Sequence, residues 1–428
     1  MGVMADLTGR ALRIESFDTE RCPKRPLAHR TLWSLFVAMI VLVLVVSEAL
    51  YRTVLVFQYA DELTFVLLGV VLFVRIARNV ACREVKLLTC VLIALSCIGF
   101  CGNVLFGVQV STFAVVIDWC SCMKAPVCFL AIYDSIGGDD SYQISYTLNS
   151  IAKILIVASA VFGTISLFKN IGMSGEVRFG VAAFSFVFGQ QHALAIILIS
   201  FLLIISVTES CSRSFWFYFL LVVYSLLLTT KGPSLIWVAI APFFILRSGN
   251  RFKFKLRHLL PLLVVAVILG GYQISNYLMI DTSPRYLLMA NSVITAKHYL
   301  PTGAGFASYG SDMAAKFYSP LYYEYGFASR WGMSPASTMF LNDNFWPMVL
   351  GQFGYCGLIL FLFLFVRMFR LIQSGARSCY VRELAVANCI YIAIHSLGSA
   401  SITSSMGVLL FIVLAIAART LKKDGGSN

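Results

Sequence analysis

Long apolar runs separated by short polar ones fill nearly the whole chain. Their lengths predict membrane-crossing helices rather than the strands or amphipathic helices of a soluble domain. Runs near the ~20 apolar residues needed to cross a bilayer lie at about Thr31–Leu50, Leu63–Val80, Leu87–Gly107, Val110–Ile132, Leu148–Phe168, Ala182–Ile205, Phe215–Thr229, Ser234–Leu246, His258–Leu278, Trp346–Val366, Leu384–Leu397 and Ile402–Ala418, which makes twelve. Between the first two, Val54–Phe57 is also apolar, so Tyr51–Phe65 reads either as loop or as an extension of a span. Spans three and four form a hairpin about Gln109, and eleven and twelve form another about Gly398–Ser401. No internal repeat is visible. The large exception to the apolar pattern is the stretch 280–345, which holds YLPTGAGFASYGSD (Tyr299–Asp312) and FYSPLYYEYG (Phe317–Gly326) and runs into NDNFWPMVLGQFGYCG (Asn342–Gly357).

Composition sharpens this picture. The chain is 59% hydrophobic and 12% charged, against roughly 45–50% and 25% in soluble domains. The net charge of +13 does not form one basic face, which argues against nucleic acid as a partner; it sits in clusters at span ends, where it sets orientation. Six cations lie between Arg10 and Arg30, four between Arg75 and Lys86, one at Arg213, five between Arg247 and Arg257, four between Arg367 and Arg382, and three from Arg419 to Lys423. These 23 share one side; Arg52, Lys169, Arg178, Lys231, Arg285, Lys297, Lys316 and Arg330 make 8 on the other. The excess of Lys and Arg places the first set in the cytoplasm. Both tails, 1–30 and 421–428, are then cytoplasmic and 280–345 faces out. The loop Tyr133–Tyr146, with Asp134, Asp139 and Asp140, departs from the pattern. The first apolar run lacks a small-residue cleavage site, so a retained span is expected rather than a signal peptide. None of the 12 cysteines falls in 280–345, which speaks against a disulfide framework in an exported loop. The pair Cys120 and Cys122 has no completing His or Cys set for a metal.

Cations on the sparsely charged outer side are the sharpest candidates for chemistry. Arg178 (SGEVRFG), Lys231 (TTKGPS) and Arg285 (DTSPRYL) each sit at a span end. Together they predict a site for an anion at the membrane surface; singly, each is equally a snorkelling side chain. The glycine run around Gly303 and Gly305 lacks the strand–helix frame of a phosphate loop, so either a turn letting backbone approach a ligand or a plain surface turn is expected. Tyr318, Tyr322 and Tyr323 suit stacking on sugar faces or an interfacial aromatic belt. Asp281, His298, Asp312, Glu324 and Asp343 are the outer candidates for moving a proton. Asp118 stands inside a span, where a charge costs about 2.5–3.5 kcal/mol and usually faces protein or water. Lys124, six residues on, lies about 240° around a helix and is not expected to pair with it. Glu48, Gln190, Gln191, His192 and His395 are milder polar intrusions that could line a cavity, although a lone His more often satisfies an interhelical hydrogen bond.

The layout resembles the O-antigen polymerase and ligase superfamily of membrane enzymes. Matching pieces are the small cationic turn Thr229-Thr230-Lys231-Gly232, Arg178 ahead of a span carrying Gln190-Gln191-His192, Arg285 opening the large loop, the P-x-G-x-G segment Pro301–Gly305, and the closing Asn342-Asp343-Asn344 with glycines from Gly351 to Gly357. Lys231 stands where the family usually has an arginine, which keeps the charge and loses the bidentate fork. The absence of an obvious later-loop histidine favours polymerase over ligase. The resemblance implies an all-α, GT-C-like membrane glycosyltransferase of the bacterial inner membrane, taking polyprenyl-diphosphate-linked oligosaccharide and needing no cofactor. It implies Arg178, Arg285 and Lys231 on the diphosphate, with Glu324, Asp343 or His298 orienting or deprotonating the acceptor. Tyr318, Tyr322 and Tyr323 would then contact glycan, Gly303 and Gly305 shape the loop, and Asp118 bound the cavity. Membrane lipids, a chain-length regulator and a flippase protein are the implied partners. A ligase, or a transporter of the same lipid-linked units, is the alternative.

Overall fold

A computed structural model describes residues 27–51, 53–178, 180–210, 212–248, 283–375 and 378–420. The expected span His258–Leu278, Asp281, and most of both tails lie outside these residues. The chain is mostly helical. Its helices are α1 (Leu27–Leu50), α2 (Ala60–Ala77), α3 (Arg83–Phe106), α4 (Thr112–Ser135), α5 (Gly138–Phe168), α6 (Gln191–Thr208), α7 (Arg213–Leu228), α8 (Gly232–Ser248), α9 (Pro284–His298), the short α10 (Asp312–Lys316) and α11 (Pro320–Glu324), α12 (Phe345–Gly375), α13 (Cys379–His395) and α14 (Ser405–Ala418). Among the described residues six helices are long and apolar enough to cross a membrane: α1, α3, α4, α5, α6 and α12; α7, α8 and α14 are shorter apolar helices.

Burial divides them. α6 from Ala193 to Ser206 and α14 from Met406 to Ala418 are buried all round, the signature of central helices. α4 packs on α14 and α2, α5 on α6, and α8 on α13. The outer helices expose apolar side chains widely, among them Val104 at 85%, Phe113 at 63% and Ile154 at 69%. Exposure on that scale is untenable in water and fits a hydrocarbon surround. The protein is membrane-embedded.

Three departures from the sequence reading matter. The apolar run after Arg178 does not begin a span: Ser174–Arg178 (β1) pairs antiparallel with Val181–Phe184 (β2), and the helix starts only at Gln191. The ambiguous stretch before α2 is a 3-10 turn at Leu55–Tyr59. The 280–345 loop holds a 15-residue helix, α9, packed against α12.

Helix ends segregate. At one end the α2 guanidinium of Arg75 pairs with Asp134 at the end of α4, whose other oxygen accepts from the Cys82 amide at 3.0 Å. Arg367 of α12 pairs with Glu84 of α3, and Lys153 of α5 pairs with Glu209 at the end of α6. The carboxylate of Asp134 in the anomalous acidic loop is thus the counter-charge for a buried arginine. At the opposite end lie the α3–α4 turn, the hairpin, the α7–α8 turn and 283–344, apart from the part of it that enters between the helices.

Candidate functional site

The loop does not simply sit outside. Residues 303–310 dive between α3, α4 and α12, and these helices supply partners for the backbone from Ala304 to Ala307. α12 breaks at Gly354 (φ 62°, ψ −164°), which frees the carbonyls of Gly351 and Gln352 from their own helix. They accept instead from Ala304 N (3.0 Å) and Gly305 N (2.9 Å). Asn103 of α3 both donates to Phe306 O (2.9 Å) and accepts from Phe306 N (2.8 Å). Gln109 donates to Ala307 O at 3.0 Å. Asp118 accepts from Ala307 N (2.6 Å) and from the Gln352 amide (2.8 Å), which also reaches Tyr309 O at 3.1 Å. Irregular backbone at membrane depth persists only when protein satisfies it in this way. A Cβ on Gly305 would stand 2.4 Å from Asn103 N, so a glycine is required where the loop crosses α3.

Asp118 therefore faces protein. It is 1% exposed and anchors the loop, which corrects the expectation that it bounds a substrate cavity. Lys124 does not pair with it; it pairs with Asp61 and lies 3.5 Å from Glu62 of α2. Gly303 and Gly305 are buried in the docked segment. Tyr322 is fully buried, its hydroxyl accepting from Gly310 N at 2.8 Å, so it holds the loop rather than presenting a ring to glycan. Tyr318 donates to Met333 O at 3.0 Å. Tyr323 is 59% exposed and stacks edge-on to Tyr318 with centroids 4.8 Å apart.

α9 separates the other candidates. Arg285 is in its first turn and His298 is its last residue, so they stand about 20 Å apart at 1.5 Å per residue. Glu324 lies near the far end, bearing on Tyr299 and Tyr325, and Tyr325 bonds Thr295 at 2.8 Å. His298 and Glu324 therefore do not share a site with Arg285, a correction that the linear sequence could not supply.

Arg178 and Arg285 both bear electrostatically on Lys231. Arg285 lies 3.2 Å from Asp343. Arg178, at the end of β1, pairs with Glu176 at 2.7 Å. Lys231, in the α7–α8 turn, has no carboxylate within ion-pair distance among the described residues. Burial lowers its proton affinity below that of an ordinary lysine, the neighbouring Arg178 and Arg285 guanidinium groups lower it further, and Glu176 and Asp343 offset part of this. Burial raises Asp343 above the usual carboxylate range against the pull of Arg285 and Lys231. Thr230, just before Lys231, holds φ at 50°. A β-branched residue is strained there, and the turn is held in a conformation it would not choose.

Helix polarity reinforces the charge. α6 opens at Gln190 with no side-chain cap, α8 opens immediately after Lys231, and α9 opens at Pro284 beside Arg285. Each N-terminus carries about half a positive charge. The site also contains two residues that the sequence offers only as polar intrusions able to line a cavity, His192 and His395. The rings of His192 (α6) and His395 (α13) stand 5.4 Å apart; Lys231 bears on both and Arg285 on His395. Gly398, in the turn after α13, abuts the Arg285 guanidinium, its Cβ position lying 3.7 Å from Cζ. Their helix periodicity gave the signal: each is a polar residue near the end of an apolar run on the same side as the cations. Among the described residues no group of three metal-ligating side chains occurs.

Neither a model of any known protein family nor any characterised protein matches the sequence.

Proposed function

We propose that the protein is a glycosyltransferase of the bacterial inner membrane that polymerises polyprenyl-diphosphate-linked oligosaccharide repeat units for O-antigen, capsule or exopolysaccharide. The carrying observation is Lys231: a half-buried ammonium with no carboxylate within ion-pair distance among the described residues, close enough to Arg178 and Arg285 to feel both charges, in the turn that opens α8. A desolvated, unpaired cation is costly unless an anion joins it, and diphosphate suits three donors spread over separate elements. The positive-inside excess turns this end outward, where lipid-linked repeat units are joined. Twelve spans and a GT-C-like arrangement accord with this reading.

Chemistry follows from the charges. Transfer of the glycan from the lipid diphosphate to a sugar hydroxyl leaves negative charge on the departing phosphate oxygen. Fixed cations aimed at that oxygen stabilise the transition state more than the ground state. Arg285 offers a planar fork, held by Asp343 in the right direction; Lys231 offers a point charge. Exposed Tyr323 and the neighbouring Tyr318 extend the outer rim where a glycan would run.

The test uses purified protein in nanodiscs with lipid-linked repeat units extracted from cells that express it. The expected result is a ladder of lengthened lipid-linked glycan, and Arg285→Ala reduces its rate at least 100-fold while leaving expression intact. A near-normal ladder from that variant removes Arg285 from the mechanism. Single transfer to a new acceptor would make the protein a ligase, and movement without bond formation a transporter.

A further inference from the structure

Most groups at the proposed diphosphate site donate hydrogen bonds or carry positive charge, with four exceptions. Two are carboxylates already engaged by arginine: Glu176, held by Arg178 at 2.7 Å, and Asp343, whose Oδ2 is engaged by Arg285 at 3.2 Å. The others are His192 and His395, which approach from two different helices, α6 and α13, with ring centroids 5.4 Å apart. His395 is 5% exposed, and its Nδ1 is buried without a hydrogen-bond partner among the described residues. A membrane histidine that served only to tie helices together would have found one. Tyr391, one turn earlier on α13, stacks on the ring with centroids 5.5 Å apart at 25° and fixes its plane. The titratable and charged groups facing the ring are His192 from α6, Lys231 from the α7–α8 turn and Arg285 from α9. A Cβ built on Gly398, three residues on, would stand 3.7 Å from Arg285 Cζ, so the imidazole and the guanidinium share one wall.

We propose that His395, supported by His192, is the base that takes the proton from the acceptor sugar hydroxyl. This rests on the polymerase reading above. The acceptor O–H bond breaks as its oxygen bonds the anomeric carbon of the donor glycan. The bond from that carbon to the diphosphate oxygen breaks, and its electron pair leaves with the lipid diphosphate beside Lys231 and Arg285. The proton stays on the His395 imidazole and is then released to water. His192, across the 5.4 Å gap, orients the ring and takes part of its charge; it is a positioning residue.

The experiment measures ladder formation from pH 5 to 9 for the wild type, His395→Gln, His192→Gln and Asp343→Asn, with binding of undecaprenyl diphosphate followed in parallel. General-base removal lowers kcat by about 10²–10⁴-fold. His395→Gln is expected to show that loss, to abolish the acid limb of kcat, and to bind undecaprenyl diphosphate within about threefold of the wild type. His192→Gln is expected to displace the acid limb without abolishing it, a change that loss of packing alone would not produce. Retention of the acid limb or of near-wild-type kcat in His395→Gln overturns the assignment, as does disappearance of the limb in Asp343→Asn alone. Should His395→Gln fail to fold, carbethoxylation of the wild type decides: lengthening that survives complete modification of His395 overturns the proposal, and loss reversed by hydroxylamine supports it. A wild type that binds the lipid diphosphate but forms no ladder brings down the polymerase reading itself, an outcome distinct from an active His395→Gln.

Discussion

Lys231 shows how much one side chain's surroundings decide. An arginine in its place would stay charged at any accessible pH. The lysine, drawn in from water and flanked by two guanidinium groups, gives up its proton below the usual lysine range. The sign follows directly: the folded protein holds this proton less tightly than the unfolded chain, so the charged form is strained at neutral pH and relaxes either by deprotonation or by an anion. Activity that needs the ammonium therefore falls as pH rises through this lowered value, before an ordinary lysine would titrate. Lys231→Arg is expected to extend the alkaline limb of the ladder rate upward by at least one pH unit, and Lys231→Met to cut the rate about 100-fold. An alkaline limb unmoved by Lys231→Arg would mean that another group sets it.

At the scale of elements, the docked segment 303–310 explains residues that look like membrane errors. Asp118 and Gln352 are polar in apolar helices because loop backbone needs them. Two buried donors lose their acceptor in Asp118→Leu, at roughly 1–3 kcal/mol each, so its melting temperature in detergent should fall by many degrees. Asp118→Asn keeps an acceptor oxygen and should fold and lengthen glycan at a rate close to the wild type. Loss of activity in a well-folded Asp118→Asn would instead give the carboxylate a charge-dependent role. This also marks what the sequence disclosed. Asp118 announced itself as an anomaly, and its failure to pair with Lys124 followed from helix geometry; its true partner, 189 positions away, did not. Likewise Val181–Phe188 is apolar and short, a pattern that suits strand and helix equally, so the hairpin carrying Arg178 was hidden. α9 was hidden because it is polar enough to resemble loop, and with it the distance that divides Arg285 from His298. The cation site was legible because charge at a span end is scarce on that side.

The whole molecule has two unlike ends, and the function depends on which faces out. One end knits its helices by ion pairs, Arg75–Asp134, Arg367–Glu84 and Lys153–Glu209, each carboxylate bound to a cation. The other end leaves Lys231 with no carboxylate within ion-pair distance among the described residues and carries the cap 283–344, whose Arg285 and Asp343 bear on it. Since lysine and arginine excess marks the inner side, and Arg78, Arg83 and Arg370 lie at the ion-paired end, the cap is expected outside. Single cysteines test this in intact cells with an impermeant maleimide. Trp331 is 78% exposed on the cap and Arg78 is exposed at the end of α2; the native exposed thiols Cys90, Cys97 and Cys101 of α3 and Cys356 of α12 are replaced by serine first, with the other native cysteines. Trp331→Cys should label before permeabilisation and Arg78→Cys only after it. The reverse order would place the cations on the inner side, where the site would meet nucleotide-activated precursors instead of translocated lipid-linked units, and a polymerase acting outside the membrane would be ruled out.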